Sequence, residues 1–321
     1  MYFYLIGVDY KSAKLSAREE VYQKYKDIAC FWGEHAALFS TCNRMEVYAA
    51  APDPDSGISR INQFFRQFPD IRKYAYIKYG EREVFRHALR LASGLESQLQ
   101  GELQIFAQIK AWHVEKPLPF GLLELWSRAL LLAEFIRFAC GLKENNLNLA
   151  DVVFYDLDKR IPSKAPVQII VIGTGKIAQL IARLRHKQAN LSFVAHKNYR
   201  QAKELAGYSG GEAFNLDELP RLIPKADVLI SATKSPHYIL KARDLRRLTG
   251  GRRNPLYVYD LAFPRDIEPD TGDAKGFFLQ DLDDLNEVFQ HFNHLNQGRL
   301  SLASDLIEEA LEKHAKARYA Y

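Results

Sequence analysis

Cysteine is scarce in this sequence: Cys30, Cys42 and Cys140 are the only three among 321 residues. So small and odd a number excludes a disulfide framework, so a hydrophobic core has to hold the fold, and a reducing cytoplasm is the expected setting. Long hydrophobic runs are lacking too. The most apolar stretch, 129–142, is short and broken by Glu134 and Arg137, too little to span a bilayer. The first eight residues carry neither a basic segment nor a small-residue cleavage site, so no signal peptide is expected. A strong charge of one sign is missing as well. Lys and Arg number 44 against 39 Asp and Glu, and the net +5 permits a nucleic-acid partner without requiring one. Repeats and low-complexity tracts are absent. What is present is an apolar fraction of 47% and a charged fraction of 26%, the balance of a globular protein too long for one ordinary core.

Along the chain, residues 2–8 read as a strand, 16–25 as a charged helix, and 36–40 and 46–51 as two further strands with Thr41-Cys42-Asn43-Arg44 between them. Turn chemistry at 52–57 closes this unit, and 81–141 is mostly helical apart from a break at 117–119. A second unit follows the polar segment 143–146. Its strands at 167–172, 191–195, 228–231 and 256–260 are separated by helical stretches, and βα alternation of this kind predicts a doubly wound parallel sheet. From Leu282 onward, Leu285, Val288, Phe292, Leu295, Leu302, Leu306 and Ala310 recur every three or four residues, with one gap of seven. That stripe predicts one long amphipathic helix to about residue 317, weakest at Gly298-Arg299 and bracing both domains. The expected organisation is α/β throughout: a catalytic domain over 1–142, a doubly wound nucleotide-binding domain over 143–280 and a bracing helix over 281–321.

Gly173-Thr174-Gly175-Lys176-Ile177-Ala178 directly follows an apolar strand and opens a helix. Glycines there allow a tight turn and close approach of a pyrophosphate to backbone N–H groups, and Ala178 lets the helix pack near the strand. The plain alternative is a βα turn without a ligand. At the end of the next strand an NAD-binding protein would place a carboxylate for the ribose hydroxyls; this chain has Ala195-His196-Lys197-Asn198 and then Arg200. Lys197 and Arg200 suit a 2′-phosphate, which predicts NADPH over NADH, unless they form only a solvated basic turn. Among the cysteines, Cys30 and Cys140 have apolar neighbours and read as core residues. Cys42 has polar neighbours, and the cationic Arg44 is expected to lower its thiol pKa.

Residues 40–48, Ser-Thr-Cys-Asn-Arg-x-Glu-x-Tyr, resemble the nucleophile motif of glutamyl-tRNA reductases, the first enzymes of the five-carbon route to tetrapyrroles such as haem. The segments Gly7-Val8-Asp9-Tyr10-Lys11-Ser12-Ala13, Ala92-Ser93-Gly94-Leu95-Glu96-Ser97, 101–110, Ser231-Ala232-Thr233-Lys234-Ser235-Pro236 and 260–267 resemble five more motifs of that family, in order. The resemblance implies a Rossmann domain for NADPH and a catalytic domain in which Cys42 attacks the ester of glutamyl-tRNA(Glu). The resulting thioester is reduced to glutamate 1-semialdehyde. It implies that Arg44 grips the substrate glutamate, that Thr41, Asn43, Ser97, Glu102, Leu103, Gln104 and Gln108 line its pocket, and that His87 matters for activity. On a helical wheel His87 falls at the border of the apolar face, from which it would reach a cleft. A partially buried packing histidine is the blander reading. An aminomutase that receives the aldehyde is expected from the family alone.

The sequence departs from the family at Leu103, usually proline, at Ala107, usually glycine, at Lys197, usually arginine, and over 143–158, where a G-x-V-S-V-S pattern is missing. It also ends at Tyr321, before the family's helical dimerisation domain, so the family's dimer is not carried over. Two other readings stay open: a reductase of another acyl substrate, and a non-catalytic tRNA- or tetrapyrrole-binding homologue.

Overall fold

The apolar N-terminal run forms β1 (Tyr2–Asp9), an interior strand of an antiparallel sheet with β2 (Ala36–Thr41), β3 (Arg44–Ala51) and β4 (Tyr76–Tyr79) in the order β2-β3-β1-β4. It is apolar throughout because both faces are covered. Tyr4, Ile6 and Val8 enter one buried cluster with Ile61, Phe64 and Phe65 of α2 (Pro54–Gln67); a further helix, α1 (Leu15–Tyr25), adds Val21 and Tyr25. Phe3 and Leu5, on the alternate face, join a second cluster with α3 (Glu81–Ala92), α4 (Leu103–Glu115) and α5 (Phe120–Ala139). Trp126 lies at its centre, fully buried and edge-on to Tyr48 with ring centroids 4.9 Å apart. β4, a four-residue edge strand, has no counterpart in the sequence reading.

In this computed structural model every residue is described except 26–30, 32, 117, 145–146, 162–165, 185–188, 270–275 and 319–321. Cys30 lies outside the described residues; Cys140 is buried, a core residue as expected. The chain divides into two units, Met1–Asn148 with Phe289–Tyr321, and Leu149–Val288.

The expected long terminal helix is two helices, α10 (Asn286–Leu295) and α11 (Gln297–Arg318). The break falls at Asn296, whose side-chain amide donates to Phe292 O at 3.1 Å. Beyond it the buried residues are Leu300, Ala303, Ile307 and Leu311, packed on α3 and α5, while Leu302 is exposed.

The second unit opens with α6 (Leu149–Arg160). It then builds a six-stranded parallel sheet from β5 (Val167–Ile172), β6 (Ala189–Ala195), β7 (Glu212–Asn215), β8 (Val228–Ser231), β9 (Leu256–Asp260) and β10 (Phe277–Gln280). The order is β7-β6-β5-β8-β9-β10, so the chain winds outward from β5 on one side and then on the other. Reversal between β5 and β8 leaves a crevice at the carboxyl ends of these strands, where doubly wound sheets bind dinucleotides. Three helices of this unit are α7 (Lys176–Leu184), α8 (Tyr199–Ser209) and α9 (Ala242–Thr249). No helix among the described residues is long and apolar enough to cross a membrane.

Candidate active site

Thr41, the last residue of β2, pairs with Arg44, the first of β3, so Cys42 and Asn43 form the two-residue turn between them. Other motif segments close around this turn. The N-terminal motif folds into a tight loop in which Asp9 Oδ1 accepts from the N–H groups of Lys11 (2.9 Å) and Ser12 (3.0 Å), and Tyr10 N donates to Asn43 O at 3.0 Å. Tyr10 then reaches Ser97 O through its hydroxyl (3.1 Å), and Lys11 Nζ meets Glu96 at 2.5 Å. The loop between α3 and α4 is itself cinched. Gly101 N donates to Gly94 O at 3.0 Å, both glycines have positive φ, and a Cβ on Gly94 would lie 3.2 Å from Gly101 Cα. Arg137 locks that loop from α5, donating from Nη1 to Ser93 O (2.8 Å) and from Nη2 to Gly101 O (3.0 Å).

Burial and electrostatics correct three expectations. Cys42 keeps part of its surface accessible, yet its thiol is not poised as a thiolate: burial and then the Glu102 carboxylate push it up to about 11, while Arg18 and Arg44 offset only part of that. Arg44 is 2% exposed and faces into the protein. Its Nη1 donates to Glu46 Oε1 at 2.7 Å and its Nη2 to Glu96 O, so its fork is already engaged rather than turned toward a substrate. His87 likewise is not at a cleft border. It is 4% exposed, because the sheet and neighbouring helices cover α3, and its Nε2 lies 3.0 Å from Glu46 Oε1.

Glu46 is the hub that the sequence reading missed. Fully buried, it also accepts from Tyr76 OH (2.5 Å) and Tyr48 OH (2.6 Å). Burial opposes its ionisation, but His87 and Arg44, with hydrogen bonds from His87 and Tyr48, hold the carboxyl well below its ordinary range. A signal was available: Arg44, Glu46 and Tyr48 alternate along one strand and so share a face. Glu102 goes the other way, lifted by burial to about 7 against a hydrogen bond from Ser97 and the charges of Arg137 and Arg44.

Among the described residues, Asn43 Oδ1 and Gln104 Nε2 are buried without a hydrogen-bond partner, an uncommon state that a polar ligand relieves. Ser97 is buried beside Glu102, Thr41 is half-buried, and Leu103 and Gln108 lie exposed on the first turns of α4. A separate cavity of about 610 Å³ is lined by Met1, Tyr4, Ala51, Arg60 and Pro119, among others. It sits at the Tyr2–Ala51 end of the paired strands, whereas Arg44 pairs with Asp9 at the other end, so it is not part of this site.

In the second unit Gly173, at φ +109°, donates its N–H to Val194 O at 2.9 Å, and a Cβ there would come within 2.7 Å of Ala232 O. Only glycine fits. At Gly175 an added Cβ would meet nothing closer than Ala232 O at 3.9 Å, so the space it guards is free for a phosphate. Lys176 opens α7, Thr174 and Ala178 are buried, and Ile177 is half-buried. Lys197 and Arg200 are exposed just past β6, and Arg200 is 3.3 Å from Glu204. Asp266 joins two motifs: its carboxylate accepts from Ser231 Oγ (2.6 Å), Thr233 N (2.9 Å) and Thr233 Oγ1 (2.6 Å). The glycine turn, the residues after β8 and helix α7 together fit a dinucleotide.

Residues 6–116 match the family described as glutamyl-tRNAGlu reductase, N-terminal domain, and residues 157–288 match shikimate / quinate 5-dehydrogenase. A glutamyl-tRNA reductase from Moorella thermoacetica is 33% identical over 315 residues, covering 90% of this chain and 70% of the relative. One from Alkalilimnicola ehrlichii is 30% identical, covering 100% and 75%. The solved glutamyl-tRNA reductase from Methanopyrus kandleri is 25% identical, covers 98% of this chain and 80% of its own, and superposes with a TM-score of 0.48. Two ordered domain matches and relatives at this identity over this length place the chain in the glutamyl-tRNA reductase family.

Proposed function

We propose that this chain reduces the glutamyl ester of glutamyl-tRNA(Glu) to glutamate 1-semialdehyde with NADPH, through a thioester on Cys42. The observation that carries this reading is the turn presenting Cys42 inside a ring of motif segments that leaves the buried amide atoms of Asn43 and Gln104 unpartnered. Sulfur bonds to the ester carbonyl carbon, the carbon–oxygen bond to the tRNA ribose breaks, and the ribose oxygen leaves with a proton. A thiol that ionises near 11 must lose its proton as it attacks. Glu102, lifted by burial to about 7 and felt electrostatically by the thiol, is the carboxylate to which this reading assigns that proton. Asn43, Ser97 and Gln104 would hold the amino-acid moiety, and Arg44 would bind its carboxylate only by leaving Glu46; otherwise it shapes the turn. NADPH, when bound at Gly173, Gly175 and the helix start, with Lys197 and Arg200 near the 2′-phosphate, supplies the hydride that converts the acyl carbon to an aldehyde and frees the thiol. The aldehyde would pass to an aminomutase in a cytoplasmic tetrapyrrole route.

Mass spectrometry after incubation with glutamyl-tRNA and no nucleotide tests this. A glutamyl adduct on the Cys42 peptide is expected, absent in Cys42→Ser, which should also lose NADPH oxidation. An adduct mapping elsewhere, or a fully active Cys42→Ser, removes Cys42 from the reaction. Equal turnover with another aminoacyl-tRNA would transfer the assignment to a different acyl substrate, and no turnover to a non-catalytic homologue.

A further inference from the structure

The chain's charge is unevenly placed. Residues 241–253 hold Lys241, Arg243, Arg246, Arg247, Arg252 and Arg253 against the single carboxylate of Asp244, a net +5 that equals the excess of the whole chain. The rest of the molecule is electrically balanced. Most of this segment is α9, whose apolar side faces inward: Ala242, Leu245 and Thr249 are buried, with Leu245 in the core of the sheet. Arg243, Arg246, Arg247 and Arg253 are exposed. Asp244 answers little of that charge, since its carboxylate is 3.8 Å from Arg247.

Arg252 has a different task. Its guanidinium donates to Ile223 O (2.9 Å), Pro224 O (3.0 Å) and Ala226 O, which pins the loop after α9 to the segment before β8. The exposed Lys225 belongs to that segment. The surface is therefore a fixed one, held by buried leucine packing on one side and an arginine clamp on the other.

The cofactor does not account for the far end of α9 or the loop after it. Gly173 to Ala178 leave β5 at its carboxyl end, whereas the loop bearing Arg252 and Arg253 enters β9 at its amino end, and β5, β8 and β9 are parallel. The two ends of such a strand lie roughly 15 Å apart at about 3.3 Å per residue. Nor does the surface suit a lipid bilayer, because no large apolar side chain between Lys241 and Arg253 is exposed to insert. Arginines strung along a helix and a loop match a chain of phosphates better than a single anion.

We propose that the outer face of α9 and the loop after it form a docking surface for the phosphate backbone of the tRNA that carries the substrate, a role that rests on the reductase assignment above. Binding of uncharged tRNA(Glu) to the full chain, followed by fluorescence anisotropy across a series of salt concentrations, tests it. R243Q/R247Q/R253Q should raise the Kd about tenfold or more and flatten the log–log salt dependence by about 2 to 3, at roughly 0.9 for each phosphate no longer neutralised. NADPH binding should be unchanged, which checks the fold. Unaltered affinity and slope overturn the proposal. So does a variant that loses binding to phosphatidylserine vesicles while keeping its affinity for tRNA. Acylation of Cys42 separates the two assignments: a wild type that binds tRNA through this face but never acylates sinks the reductase and leaves the surface. A triple variant that acylates with an unchanged KM for glutamyl-tRNA sinks the surface and leaves the reductase.

Discussion

Each unit of this protein buries a carboxylate among its family motifs, and the two are treated in opposite ways. Glu46, in the first unit, is 0% exposed; Asp260, in the second, is 1% exposed. Glu46 has Arg44 and His87 beside it and two tyrosine hydroxyls donating to it, so it stays ionised. Around Asp260 the donors are backbone N–H groups, from Ala262 at 3.1 Å and Ile267 at 2.8 Å, and its charged neighbour is another carboxylate, Asp266. Burial therefore lifts Asp260 to about 7, opposed by the backbone N–H groups of Ile267, Ala262 and Asp266, while the Asp266 carboxylate adds to the rise. Equal burial gives shifts in opposite directions, so the deciding variable is a cation in contact.

The largest effect should come from breaking the first arrangement. Glu46→Gln leaves the Arg44 guanidinium inside the protein without a countercharge, which costs about 3–5 kcal/mol. Tryptophan fluorescence during urea unfolding reads this directly, because Trp112 and Trp126 are buried in the first unit and the sequence has no tryptophan between residues 149 and 288. A loss under about 1 kcal/mol would mean that the pair does not hold the turn in place. Replacing both partners with apolar residues should cost less than the single change, since no lone charge is then left behind.

Asp260→Asn should be milder, about 1–2 kcal/mol near pH 5. Its pH dependence carries the sharper comparison. The folded pKa of Asp260 is raised, so its contribution to stability is full below the ordinary carboxylate value of 3.8 and is lost as pH climbs through about 7. Glu46, with a lowered pKa, contributes fully above its ordinary 4.5 and loses that contribution as pH falls. Circular dichroism of the second unit's unfolding should show a stability loss between about pH 4 and 7 that is smaller in Asp260→Asn, the window running from the ordinary carboxylate value of 3.8 to the raised value of about 7. An identical slope in the variant would assign the loss to another group. Glu102, also lifted to about 7, adds a slope of the same sign to the first unit, which fluorescence would separate.

The sequence shows the second unit more fully than the first. Short apolar strands alternating with helical stretches, with Gly173 and Gly175 at a turn, dictate the doubly wound sheet, because each βα unit is a local pattern. The short edge strands β7 and β10 escaped, being four residues each with mixed burial. In the first unit the position of Cys42 and Asn43 between two strands was readable, although Arg44 proves to be the first residue of β3, but the charge environment was not. Proximity in sequence made Arg44 look like the activator of the thiol, while the fold directs it to Glu46 and lets Glu102, sixty residues away, act on the sulfur instead. Arg137 looked like no more than a polar interruption in an apolar helix; only the tertiary structure makes it the lock on the 93–101 loop. The terminal helices show the same limit: the stripe read from the sequence runs through Leu302, Leu306 and Ala310, whereas the fold buries Leu300, Ala303, Ile307 and Leu311 beside it.

The cations divide between the units as the carboxylates do, which gives the smallest and most specific prediction. Arg44 is interior and neutralised, whereas Lys197 and Arg200 are solvent-exposed at the mouth of the nucleotide crevice. An exposed cation acting on a phosphate through water gains little, so Lys197→Ala should weaken NADPH binding by only about two- to fivefold, leave NADH unchanged, and lose even that difference at high salt. Arg200→Ala should do less still, because Glu204 already lies 3.3 Å from its guanidinium. Titration of both nucleotides by fluorescence decides it. Equal weakening of NADH and NADPH would show that Lys197 supports the turn rather than reading the 2′-phosphate, and a larger effect at Arg200 would show that its pairing with Glu204 gives way when the nucleotide binds.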